Sequence, residues 1–114
     1  MGERRQVPRY VTELPAQVAQ PPGGPPLHVT VVSLSISGCS LEGSSPLKVN
    51  QEAELSFECE GAQFRTQAFV VWKSSVGEAG LRFLDMDAAS EQLLRKFCAK
   101  LRLQPPGPIP TDLA

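Results

Sequence analysis

Glu52-Ala53-Glu54-Leu55-Ser56-Phe57-Glu58-Cys59 alternates more strictly than any other stretch of the 114-residue chain. Ala53, Leu55, Phe57 and Cys59 fall on one side; Glu52, Glu54, Ser56 and Glu58 fall on the other. A period of two is that of a β-strand with one face buried. The glutamates could pass for an acid/base or metal cluster, but they share the polar face of one strand, which makes them a charged exterior. Glu60-Gly61 is a turn, and Ala62–Trp72 is the next strand, with Phe64, Thr66, Ala68, Val70 and Trp72 on one face. Phe69 and Val71 make its other face apolar near the end. Both sides are expected to be covered there, with the C-terminal helix as the cover.

The same reading extends in both directions. Downstream, Ala79–Leu84 is a last strand with Leu81 and Phe83 inward and Arg82 outward. Asp85 or Asp87 caps a helix whose apolar stripe is Leu93, Leu94, Phe97, Cys98 and Leu101. Basic residues gather in its last turns, where they oppose the helix dipole. Upstream, Tyr10, Thr12, Leu14, Ala16 and Val18 alternate in a strand that Pro15 assigns to an edge or a bulge. A proline- and glycine-rich loop, residues 20–26, leads into Leu27–Leu34, with Leu27, Val29 and Val31 on one face. Cys39 and Leu41 mark a short third strand. Six strands and one helix, joined by turns, predict a mainly all-β fold: a six-stranded antiparallel barrel plugged by a C-terminal helix.

The length suits one domain with a single core. Apolar residues make up 41% and charged residues 20%, with a net charge of −1, so nothing global draws the chain to nucleic acid or to a membrane surface. The charge is uneven: Arg4, Arg5 and Arg9 crowd the start, and Arg95, Lys96, Lys100 and Arg102 the far end. Basic ends on a balanced chain suit a small anionic ligand better than a long polyanion. The three cysteines form no Cys-x-x-Cys pair and are odd in number, which points to buried thiols in a reducing compartment. No apolar run resembles a signal peptide or a membrane span, so a cytoplasmic protein with no membrane insertion is expected. The division is 1–9 as a flexible basic arm, 10–103 as the barrel with its helix, and 104–114 as a proline-rich tail.

Between the second and third strands lies Ser33-Leu34-Ser35-Ile36-Ser37-Gly38, a turn of small and hydroxyl-bearing residues. Together with the arginine arm it makes two halves of an anion site: planar guanidinium groups on one side, and on the other a turn where backbone and small side chains meet a ligand. An Arg-x-x-x-Arg arm followed by an Asp/Asn-x-Ser-x-x-Gly turn resembles the signature pair of the PilZ domain, a bacterial receptor for cyclic di-GMP. Here the arm is Arg5 and Arg9, and the turn is Ser33, Ser35 and Gly38, with Ser33 where the family has Asp or Asn. Val71-Trp72 and Gly80-Leu81-Arg82-Phe83 are similar to later strands of the family, and the resemblance runs over roughly residues 3 to 103.

The resemblance implies cyclic di-GMP as the ligand, with Arg5 and Arg9 on its phosphates and guanines and Arg4 as an auxiliary contact. Ser35 and Gly38 would meet a guanine edge, Ser35 through its hydroxyl and Gly38 by positive φ or close backbone approach. Ser33 cannot form the bidentate bond that a carboxylate makes to guanine N1–H and N2–H₂. Loss of one bond to a charged acceptor costs about 1.5–3 kcal/mol, or roughly ten- to a hundredfold in affinity. No cofactor, metal or catalytic set is expected, since the chain's one histidine, His28, has no partner for nucleophilic chemistry. The chain reads as a receptor module, monomer or weak dimer, that orders its arm on the ligand and regulates a partner protein; the resemblance implies motility regulation, surface attachment, polysaccharide export or development as the process. A degenerate PilZ domain acting as a protein adaptor in motility or polarity control stays open. An oligonucleotide binder fits less well, because the seven aromatics fall mostly at core positions.

Overall fold

The computed structural model describes residues 8–19, 25–43 and 46–103. Six strands and a helix follow one another as expected: β1 Tyr10–Ala19, β2 Leu27–Leu34, β3 Gly38–Glu42, β4 Glu52–Cys59, β5 Ala62–Lys73, β6 Glu78–Leu84 and α1 Ala88–Cys98. A two-residue strand not foreseen, β7 Arg102–Leu103, pairs with the first two residues of β1. All pairings are antiparallel, in the order β2-β3-β6-β5-β4-β1, and β1 also pairs with β2, which closes the barrel. The proline loop at 20–24, Ser44 and Ser45, the arm through residue 7 and the tail from 104 lie outside the described residues.

The β4–β5 hairpin shows how local chemistry sets register. Glu60 and Gly61 both have positive φ, 53° and 73°, which is the type I′ geometry whose twist matches the flanking strands. That turn pairs Cys59 with Ala62 and, further along, Phe57 with Phe64 and Leu55 with Thr66. Ala53, Leu55 and Phe57 of β4 therefore meet the buried Ala68, Thr66 and Phe64 of β5. Phe64, fully buried, stacks at 4.8 Å from Phe57 and 5.8 Å from Phe83. Val18, Val31, Leu34, Leu41, Leu55 and Val70 complete the interior, and Leu47 is buried with them from the β3–β4 connection. Thr66, the inward polar residue of β5, donates its hydroxyl to the Leu84 and Gln67 carbonyls, so its burial leaves no bare donor.

Of the two candidate caps, Asp87 is the one used. Its Oδ1 accepts the Ser90 N–H at 2.7 Å, and this bond holds the carboxyl below its ordinary range. Leu94 and Cys98 are buried against the barrel, while Leu93, Phe97 and Leu101 are half-covered. Lys100 Nζ bonds Glu60 Oε1 at 2.8 Å, so the chain just beyond the helix is tied to the β4–β5 turn. Val71 and Trp72 lie towards the opposite end of β5. They are 42% and 43% exposed, so the cover expected over them is not there. The reason lies in the pairing with β6: Val70 faces Leu81 and Trp72 faces Gly80, which makes Val71 an extra residue. The bulge turns Trp72 from the inward side assigned by alternation to the outside.

Candidate functional site

A second bulge sets the position of Ser33. Strict alternation from Leu27, Val29 and Val31 would send Ser33 inward. Against β3, however, Val31 pairs with Leu41 and Ser33 with Ser40, so β2 carries one residue more than its neighbour. Val31 and Leu34 can then both be buried while Ser33 turns to the outer face. There its hydroxyl lies beside that of Ser40, 2.5 Å away, and accepts a hydrogen bond from Arg9 Nη1 at 3.1 Å. The arm and the turn, recognised separately in the sequence, thus meet at one atom.

The cross-strand pairs extend this point into a row. Ser33 opposes Ser40, Ser40 opposes Gly80, and Gly80 opposes Trp72. A Cβ on Gly80 would lie 2.0 Å from the Trp72 Nε1, which means that the indole lies directly over the glycine. The adjoining outer row is Gly38, Arg82 and Phe69, with the Arg82 guanidinium 5.7 Å from the centre of the Phe69 ring. One face of the barrel therefore offers an aromatic plane at one side, two hydroxyls in the middle, Arg9 at the other side and Arg82 alongside. Phosphate chemistry uses the guanidinium groups, and a base can use both the indole and the hydroxyls.

Ser35 and Gly38 act within the turn. The Ser35 hydroxyl accepts the N–H groups of Ser37 and Gly38 at 3.2 and 3.1 Å and donates to the Gly38 carbonyl. The Ser35 N–H donates to that same carbonyl at 2.8 Å. This is a serine turn whose hydroxyl replaces a backbone partner, and it leaves Ser35 buried. The exposed hydroxyl near the tip belongs to Ser37. Gly38 is required by proximity, since a Cβ there would sit 2.2 Å from the Leu81 carbonyl oxygen. Of the alternatives read from the sequence, close approach applies.

Arg4 and Arg5 lie outside the described residues, so Arg9 is the arm residue placed at the site. Its charge is felt behind the sheet at Cys39, whose thiol it favours towards ionisation. Burial outweighs that influence and pushes Cys39 up to about 12. A cleft of about 160 Å³ between Pro8, Tyr10, Ile36 and the last turn of α1 adjoins the base of the arm. Ser40, Trp72 and Arg82 were not read as site residues. Ser40 had a signal, as the polar member between Cys39 and Leu41, but Trp72 became visible only through the bulge at Val71. Among the described residues no group of three or more His, Cys, Asp and Glu could hold a metal ion, and no helix is long and apolar enough to cross a membrane.

Comparison with known proteins agrees with this fold. The PilZ domain model matches residues 3–100. The PilZ domain of CeSA from a cellulose-synthesising bacterium superposes with a TM-score of 0.68 at 16% identity, over 80% of this chain and 94% of that one. The PilZ domain of Escherichia coli YcgR, solved with cyclic di-GMP, gives 0.71 at 15% identity over 87% and 92%. The Bacillus subtilis inhibitor of motility MotI/DgrA gives 0.69 at 19% identity, over 86% of this chain and 51% of that longer one. Compared by sequence with curated proteins, the chain has no match.

Proposed function

The chain belongs to the PilZ domain family, and from that footing we propose that it is a cyclic di-GMP receptor module, not an enzyme, that regulates a partner protein in the cytoplasm. The observation that carries this reading is the Arg9 guanidinium on the Ser33 hydroxyl at 3.1 Å. It joins the two motif halves on an outer face that also carries Trp72 and Arg82. Arg5 and Arg9, with Arg4 beside them, neutralise the two phosphates as the arm folds over this face. The Trp72 plane stacks on a guanine, and Ser33 and Ser40 bond its edge, while Ser35 and Gly38 hold the turn in shape. Ordering the arm on the ligand changes the surface that a partner meets. One structural relative is an inhibitor of motility, which supports motility as the regulated process.

A second reading has its own observation. Val71, Trp72 and Val76 are 42%, 43% and 79% exposed, and exposed apolar residues of this kind suit a protein adaptor that has dispensed with nucleotide. Isothermal titration of the full chain with cyclic di-GMP, at low and physiological salt, separates the two. Saturable heat that disappears in Arg9→Ala, with thermal unfolding unchanged, supports the receptor. Absence of heat up to several hundred micromolar from folded protein refutes it and favours the adaptor.

A further inference from the structure

The Ser33–Ser40 pair has a hydrogen-bonding capacity different from that of the carboxylate it replaces. Each hydroxyl offers one hydrogen and two lone pairs. One lone pair of Ser33 is taken by Arg9, and one hydrogen and one further lone pair are consumed between the two serines. Whichever serine donates to the other, the pair keeps one free hydrogen and two free lone pairs. It is therefore a donor and an acceptor together, and it is neutral. A carboxylate is an acceptor only and carries a charge.

Base edges read this difference directly. Guanine offers two adjacent donors, N1–H and N2–H₂, which suit a carboxylate. Adenine offers a donor, the N6 amino group, next to an acceptor, N1. A carboxylate would set its own lone pairs against adenine N1, whereas a donor–acceptor pair matches both atoms. The same pair also matches guanine, through O6 and N1–H. The 2.5 Å between the two oxygens is close to the spacing of neighbouring polar atoms on a base edge, and Ser40 is the more open of the two, Ser33 being only 9% exposed under Arg9.

Resting on the receptor reading above, the geometry points to a site with relaxed purine choice: it accepts cyclic dinucleotides containing adenine alongside cyclic di-GMP, and Ser40 shares the base-reading role with Ser33. The phosphates and the aromatic plane are used alike by either base, so specificity falls to the hydroxyl pair. A matched bidentate pair discriminates by roughly ten- to a hundredfold, and that is the margin a carboxylate here would restore.

The test is calorimetric titration of the full chain with cyclic di-GMP, cyclic di-AMP and the mixed cyclic GMP-AMP, for the wild type, Ser33→Asp and Ser40→Ala. The wild type is expected to bind all three within about tenfold of one another. Ser33→Asp should widen the preference for cyclic di-GMP over cyclic di-AMP by roughly ten- to a hundredfold, and Ser40→Ala should weaken all three. A wild type that prefers cyclic di-GMP more than about a hundredfold, or a ratio unchanged in folded Ser33→Asp, overturns the inference and leaves the receptor reading intact. Absence of any Arg9-dependent binding overturns the receptor reading, and this inference with it.

Discussion

Gly80→Ala puts the outer face to a direct test, because the new methyl group would occupy the place of the Trp72 ring. The Cβ would lie 2.0, 2.5 and 2.6 Å from three indole atoms, closer than any packing allows. The obstacle is a side chain at the surface rather than backbone, so the indole swings away and the sheet stays paired. A tryptophan presents roughly 250 Å², and with 43% of Trp72 exposed on the order of 140 Å² is covered. At ~25 cal/mol per Å², complete release costs about 3.5 kcal/mol as an upper bound. Partial cover in the unfolded chain reduces this, and the lower unfolded-state entropy of alanine offsets about 0.4–1 kcal/mol. The expected net loss is about 1–2 kcal/mol, which in urea lowers the midpoint by roughly 1 M. Trp72 is the only tryptophan, so its emission reports the displacement directly and should shift to the red in the folded variant. Affinity for a stacked base should fall in parallel. A variant with wild-type emission and an unchanged midpoint would refute the placement of the indole over Gly80 and remove the aromatic wall from the proposed site.

Gly38→Ala meets the Leu81 carbonyl instead, at 2.2 Å. No rotamer relieves a backbone clash, so chemical denaturation should show a larger loss than for Gly80→Ala; an equal or smaller loss would mean that β3 and β6 are less closely apposed. Phe64→Ala, at a fully buried ring, should cost about 3–5 kcal/mol, and Phe97→Ala distinctly less because its ring is half-covered; equal costs by urea unfolding would place Phe97 in the core. The Cys39 thiol, raised from 9.0 to about 12 by burial, keeps its proton in the folded state while the unfolded chain loses it. Stability from this group is full below pH 9 and declines as the pH rises towards 12, by about 1.4 kcal/mol per unit. Cys39→Ala should flatten that decline relative to wild type across pH 8–11, and parallel profiles would contradict it.

Much of the barrel was legible because its sheet is wet on one side and dry on the other. Where β4 alternates, Ala53, Leu55, Phe57 and Cys59 are buried as their spacing required. Glu60-Gly61 was readable as a turn because few dipeptides tolerate two successive positive φ values. The motif halves were legible too, as residue types, but their roles within the site were not. Ser35 looked like a hydroxyl awaiting a ligand. In the folded turn its oxygen is engaged by the backbone around it. Ser40 passed unnoticed because a serine between two apolar residues reads only as an outward position, with nothing to say what stands opposite.

The amino-acid sequence by itself determined the first six strands, the helix, the inward set of β4 and the two motifs that place the chain in its family. Each of these depends on neighbours within one turn or one strand. Only the tertiary structure decided that Ser33 and Trp72 share an outer face with Arg9. A bulge is a mismatch between two strands, one residue too many at Val32 against β3 and one at Val71 against β6. Neither extra residue is marked on its own strand, because the partner's register defines it. From each bulge onward every side chain changes face, and that change brings Ser33 and Trp72 out beside Arg9, Ser40 and Arg82.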